Sequence, residues 1–175
     1  MRKIVLYLLI TASFHANSES FQFGKITWEF NVPPEYSDFI EKKSVSHSSK
    51  YYKSEELVAL FKSNSDYLRV KKSNYPVSME STFESGWLAG ESVVEGQFKR
   101  SPAVLGVESS AKTKMKNGYK SREHMVELKL DGDVSMFYGS FQVLLNGWLL
   151  EYQVVSPNKN IFNAAVIAWE KSVVE

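Results

Sequence analysis

The stretch FQVLLNGWLLEYQVVSPNKNIFNAAVIAWEKSVV, residues 141–174, is the most informative about fold class. Phe141, Val143 and Leu145 alternate up to Asn146-Gly147, and Trp148, Leu150, Tyr152 and Val154 alternate away from it. Asn-Gly supplies the positive φ angles of a type I′ turn, so the segment is expected to be a β-hairpin. Leu144 and Leu149 put apolar residues on the second face as well, which places the hairpin at the centre of a sheet covered on both sides. Ser156-Pro157 ends the second strand, and Asn158 or Asn160 can cap the next element. Phe162, Ala165, Val166, Trp169 and Val173 then mark one face of a C-terminal helix, which Ala164, Ala165 and Ala168 allow to pack closely on the sheet.

On the N-terminal side of this stretch, residues 87–98, 104–115 and 120–130 read as strands of declining clarity, and residues 134–145 as the strand that follows them. Asp131-Gly132-Asp133 and Asn117-Gly118 supply turns between them. Ile26, Trp28, Phe30 and Val32 alternate with polar residues as a half-buried strand that Pro33 and Pro34 end. Between these regions, residues 41–53 are polar and serine-rich and read as a loop. Ser54, Glu55 and Glu56 resemble a helix start, and Leu57, Leu60 and Phe61 give that helix an apolar stripe running to about Lys62. No internal repeat or linker divides the chain. The expected class is α+β: an antiparallel sheet packed by one helix in the N-terminal half and one at the C-terminus.

At 175 residues, 43% hydrophobic and 23% charged, the chain can build one core without staples, and it has no cysteine to form any. Thiolate metal sites, cysteine nucleophiles and iron–sulfur clusters are excluded with it. A formal charge of +1 gives no electrostatic basis for nucleic-acid binding. Arg2 and Lys3, the apolar run IVLYLLITA at residues 4–12, and the small residues after it have the layout of a secretory signal peptide. Cleavage after Ser18 puts Ala16 and Ser18 at the small-residue positions, leaving residues 19–175 as a single α+β domain. It also removes Arg2 and Lys3, taking the formal charge to −1. A cysteine-free exported domain suits the bacterial periplasm better than a eukaryotic extracellular space. No later segment is apolar and long enough to span a membrane.

A strand ending in Pro-Pro, a helix, a run of antiparallel strands, then a strand–Asn-Gly–strand hairpin feeding an amphipathic helix resembles the Mog1/PsbP-like fold. The likeness is clearest over residues 141–174 and extends more loosely to residues 26–34. That group includes periplasmic DcrB-like proteins and immunity proteins of type VI secretion effectors. The resemblance implies a binding module without catalytic apparatus, and it transfers no catalytic residue.

The residues that could carry chemistry are few. His47 lies in the serine-rich stretch and His124 in the strand around residues 122–130. Neither sits with a G-x-S-x-G elbow: Gly139-Ser140-Phe141 belongs to a strand, and Gly90-Glu91-Ser92 lacks the second glycine. Of the three histidines, His15 falls within residues 1–18; the two that remain, without cysteine, do not suggest zinc, and Asp131-Gly132-Asp133 lacks the register of a calcium loop. No phosphate-binding loop or dinucleotide fingerprint occurs. Glu80, Glu84, Glu91, Glu95, Glu123 and Glu127 could supply a carboxylate pair, but their separation depends on the fold. No catalytic, cofactor-binding or metal residue is therefore assigned, and no cofactor is implied.

The candidate interface is Trp87, set among small residues and expected to be exposed, together with Lys112, Lys114, Lys116, Lys120 and Arg122. In an extended segment the first three lysines project from one face. They read either as protection of an edge strand or as a contact for an acidic partner. The leading expectation is an exported, non-enzymatic protein-binding module, with an immunity protein neutralising a toxin effector as its specific form. The alternatives are a small-ligand or envelope-component binder with an apolar pocket between sheet and helix, and a carboxylate-dependent hydrolase using His124.

Overall fold

A computed structural model describes residues 18–23, 25–41, 45–48, 53–63 and 65–175. The segment expected to be a signal peptide, residues 1–18, lies outside these residues, except that Ser18 opens the first strand. The elements run β1 (Ser18–Phe23), β2 (Ile26–Asn31), a 3-10 turn η1 (Pro34–Phe39), β3 (Ile40–Glu41), β4 (Val45–Ser48), β5 (Lys53–Ser63) and β6 (Asp66–Asn74). A second 3-10 turn η2 (Val77–Thr82) and α1 (Ser85–Lys99) come next, then β7 (Val104–Lys116), β8 (Tyr119–Leu130), β9 (Val134–Leu145), β10 (Trp148–Ser156), α2 (Lys159–Lys171) and β11 (Val173–Val174). The large antiparallel sheet is ordered β3-β5-β6-β10-β9-β8-β7, with β4 also on β5, and a small sheet is ordered β1-β2-β11.

The β9–β10 hairpin sits mid-sheet, with Leu145 opposite Trp148 and Tyr152 opposite Phe141. Asn146 and Gly147 adopt φ of 46° and 87°, and Asn117 and Gly118 adopt 50° and 86° between β7 and β8. These are left-handed positions that Asn and Gly accept at least cost. Asn158 caps α2, its side chain accepting from the backbone N–H of Asn160 and Ile161. Buried Ile161, Phe162, Ala165, Ala168 and Trp169 form the inward stripe. Ser172 leaves the helix with ψ of 147°, so Val173 belongs to β11 rather than to the helix face, and Val174 is the buried neighbour.

The core is aromatic and lies between α2, the small sheet and one face of the large sheet. Trp28 stacks on Phe30 at 4.5 Å between ring centroids, and Tyr152 lies 5.6 Å from Trp169 and 6.0 Å from Phe141. The polar tips of Trp28, Tyr152 and Trp169 are all satisfied. Trp28 Nε1 donates to Ser172 Oγ (3.0 Å), Tyr152 OH to the Ala165 carbonyl (2.9 Å), and Trp169 Nε1 to Glu123 Oε1 (2.8 Å). Burial of each such ring stabilises the fold by roughly 1.5–3 kcal/mol.

Two segments exchange the structures expected of them. The helix expected from Ser54 is β5, paired antiparallel with β6 along Leu60–Leu68 and Val58–Val70, and on its other side with β3 and β4. Helix propensities differ by only tenths of a kcal/mol per residue, and ladders on both sides of a strand outweigh them. Residues 45–48 of the expected serine-rich loop supply β4. Conversely, the strand expected over residues 87–98 is α1. Its inward stripe is Trp87, Glu91, Val94, Glu95 and Phe98. Two glutamates on that stripe hide the helical period from a hydrophobicity reading.

A cleft beneath the first helix

The pleat of β8 explains why the two helices meet different chemistry. Glu123 faces α2, where it meets Trp169, so its neighbours Arg122 and His124 point to the other face, beneath α1. On that face the central strands carry a polar ladder. Arg122 Nε donates to Gln142 Oε1 (2.5 Å), Gln142 Nε2 donates to Glu151 Oε2 (2.5 Å), and Glu151 lies 3.5 Å from Arg69 Nη2. Beside it, Gln153 donates to Tyr138 OH (3.0 Å) and accepts from Tyr67 OH (3.5 Å). Burial pushes the Tyr138 and Tyr67 phenols above their ordinary pKa.

His124 is fully buried at the centre of this face. Its Nδ1 lies against Glu91, its Nε2 is 3.6 Å from Glu95 Oε1, and its ring meets Trp87 and Tyr138 edge-on. Glu95 also accepts from the Ser109 hydroxyl, and this bond is the largest cause holding its carboxyl below the ordinary value. The i,i+4 pair Glu91 and Glu95 thus meets the sheet at one histidine.

Arg122 is buried as well. Its guanidinium packs 4.2 Å over the Phe83 ring and 5.6 Å from that of Trp87, and Nη1 donates to the Phe83 carbonyl. Burial lowers its pKa to about 10. Arg122, Gln142, Trp87 and Glu91 line a cavity of about 370 Å³ between η2, α1 and the sheet. A second cavity of about 260 Å³ lies between α2 and the opposite face, lined by Met125, Phe137, Phe162 and Lys159. Lys159 sits 3.7 Å from Glu127 there.

Comparison with solved structures finds the cyanobacterial PsbP (CyanoP) of Synechocystis sp. PCC 6803, with a TM-score of 0.57 at 12% identity, covering 94% of this chain and 96% of that one. The fold is PsbP-like. LpqN, involved in cell envelope biogenesis of Mycobacterium tuberculosis, aligns at TM-score 0.46 and 10% identity over 91% of each chain. A Pseudomonas aeruginosa protein of unknown function, PA94, aligns at 0.40 and 10% identity over 88% of this chain and 92% of that one. No family model and no curated protein sequence matches.

On this PsbP-like frame the cationic stripe is split by the pleat. Lys112 and Lys114 stand on the α2 face, half-exposed, and both pair with Glu123, at 3.2 and 2.5 Å. Burial works against the Glu123 carboxylate, but hydrogen bonds from Lys114 and Trp169 hold its pKa below the ordinary value. Lys116 is buried, its Nζ donating to the Trp169 carbonyl (2.8 Å) at the C-terminus of α2, where cations are favoured. Lys120 is exposed on the opposite face, the same side as buried Arg122.

Trp87, expected to be exposed, is only 6% so, because the residues around it form a helix that turns it onto the sheet. Of the candidate carboxylates, the fold brings Glu91 and Glu95 together on His124 and places Glu123 on the other face. His47 falls in β4, opposite Ser54. Gln142, Glu151, Gln153 and Tyr138 escape a sequence reading. Their alternation with apolar residues looks like a solvated face, yet the strands that carry them are central. Among the described residues no helix is long and apolar enough to cross a membrane.

Proposed function

We propose that the chain is an exported, non-enzymatic binding module of the cell envelope, periplasmic once residues 1–18 are removed, that works by holding a protein partner. The observation that carries this reading is β7. It ends the large sheet, and residues 108–115 are exposed along it on both faces. An edge strand of this length offers unpaired N–H and C=O groups to an extended segment of another protein. Lys112 and Lys114 share the single carboxylate of Glu123, which leaves surplus positive charge beside the edge and suits an acidic segment. The sealed environment of His124 and the commitment of Glu91 and Glu95 to it favour binding over hydrolysis.

The test is capture from a native envelope fraction by the immobilised chain, set against a Lys112→Gln/Lys114→Gln variant whose circular dichroism matches the parent. The expected result is a saturable one-to-one partner, retained by the parent and weakened about tenfold or more by the variant. Equal retention by both, or no saturable partner, defeats the reading. A toxin as the captured partner would make the chain an immunity protein.

A further inference from the structure

We propose that the cleft between η2, α1 and the sheet binds a small organic molecule carrying a single carboxylate on an apolar body, with Arg122 as the carboxylate-binding residue. This inference stands apart from the partner reading, since it uses none of the β7 edge.

The first support is a buried cation with no carboxylate in contact, Glu91 and Glu151 acting on it only through space. Arg122 is 9% exposed, yet none of the ion pairs among the described residues includes it. Its hydrogen bonds run from Nε and Nη1 to neutral oxygens, those of Gln142 and Phe83. Buried guanidinium groups are ordinarily paired with a carboxylate. The second support is independent. Trp87 Nε1 is buried and lacks an acceptor, and Trp87 lines the same cavity as Arg122. A buried cation and an unpartnered neutral donor on one cavity complement an oxyanion.

The cavity wall then narrows the class. Glu91 lines it, so a dianion such as phosphate meets a nearby negative charge, whereas a monoanionic carboxylate is repelled less. Met79, Tyr75 and the Trp87 ring provide apolar surface for the rest of the molecule. A volume of about 370 Å³ is at the small end of ligand pockets, which span about 300–1,000 Å³. Gly86 and Gly90, one helical turn apart, open the remaining wall. A Cβ at either would meet nothing within 4 Å, so neither tight packing nor the backbone demands glycine there. What their missing side chains leave is room in the cleft.

The experiment titrates the full-length mature chain with benzoate and hexanoate, with the neutral analogues benzamide and hexanol, and with inorganic phosphate. Calorimetry gives affinities, and the indole N–H resonance of Trp87, assigned with Trp87→Phe, reports the site. The expected result is carboxylate binding that moves the Trp87 resonance, with the neutral analogues weaker by about tenfold or more. Gly90→Leu, whose Cβ meets no protein atom and whose branch is directed at filling the cleft, should weaken the carboxylates by a similar factor while melting no lower than the parent. Arg122→Gln should abolish the preference for carboxylate over amide. The inference is overturned by equal affinity for benzoate and benzamide, by unchanged binding in Gly90→Leu, or by phosphate outcompeting both carboxylates. Absence of any carboxylate binding up to about 10 mM, the weakest affinity worth assigning to a site, overturns it as well.

Discussion

The two faces of the large sheet are built on opposite principles, although the same strands supply both. Towards α2, Leu68, Val70, Phe141, Val143, Tyr152 and Val154 pack with Trp28 and Trp169 into an apolar core in which the polar tips of Trp28, Tyr152 and Trp169 are satisfied. Towards α1, the intervening residues Arg122, Gln142 and Glu151 form a hydrogen-bonded row beside the buried His124 and Ser140. The helices differ in the same sense. α2 buries five residues, whereas Trp87 is the one buried residue of α1, which is held by two glutamates on one histidine. Apolar burial is non-directional and supplies most of a fold's stability. Polar contacts add little net stability, but they fix geometry and leave unfilled hydrogen-bonding capacity where a ligand can use it. The apolar, stabilising face and the polar, geometry-fixing face are therefore different faces.

The widest break in that contrast comes from truncating one residue on each side. Trp169→Ala removes a fully buried ring, with an expected cost of about 3–5 kcal/mol, while Arg122→Met keeps the volume and loses hydrogen bonds, at about 1–3 kcal/mol. Urea unfolding of both variants measures the gap, and equal losses would mean that the α1 face is as essential to stability as the core.

A subtler test uses Lys116, the one lysine enclosed on the α2 side among the described residues. Burial lowers its pKa from 10.5 to about 8. Between those values the unfolded chain binds more protons than the folded one, so stability contributed through this group rises with pH from about 8 upward. Lys116→Met should flatten that rise in urea unfolding followed from pH 7 to about 9.5, below the range where tyrosines titrate. An identical slope in the variant would assign the effect elsewhere.

The smallest expected effect has the opposite sign. Gly90→Ala should stabilise the fold by about 0.5–1 kcal/mol, because alanine is the better helix former and its Cβ meets no protein atom. A loss of stability on thermal melting would mean that the cleft closes on Gly90 in solution.

Legibility in the sequence tracks locality. The hairpin at Asn146-Gly147 and the α2 stripe from Phe162 to Trp169 are readable because turn chemistry and period are written within a few residues. Residues 53–63 and 85–99 mislead for reasons lying outside themselves. The first is a strand because β6, β3 and β4 pair with it. The second is a helix whose inward glutamates make sense only once His124 and Ser109 are opposite them. The candidate residues suffer the same way. Trp87 looks exposed among glycines, and five cations look like one stripe until the pleat and the burial of Lys116 and Arg122 divide them.

Local chemistry alone thus specifies an α+β chain with a central Asn-Gly hairpin, a capped C-terminal helix and no cysteine chemistry. Those features are set by φ preferences, side-chain period and composition, which act over short spans. Tertiary packing chose which segment became α1 and which polar residues were turned inward, and it brought Arg122 and Trp87 into one cleft. These outcomes depend on partners far apart in the chain, and the free energy of such contacts exceeds local preferences of a few tenths of a kcal/mol per residue.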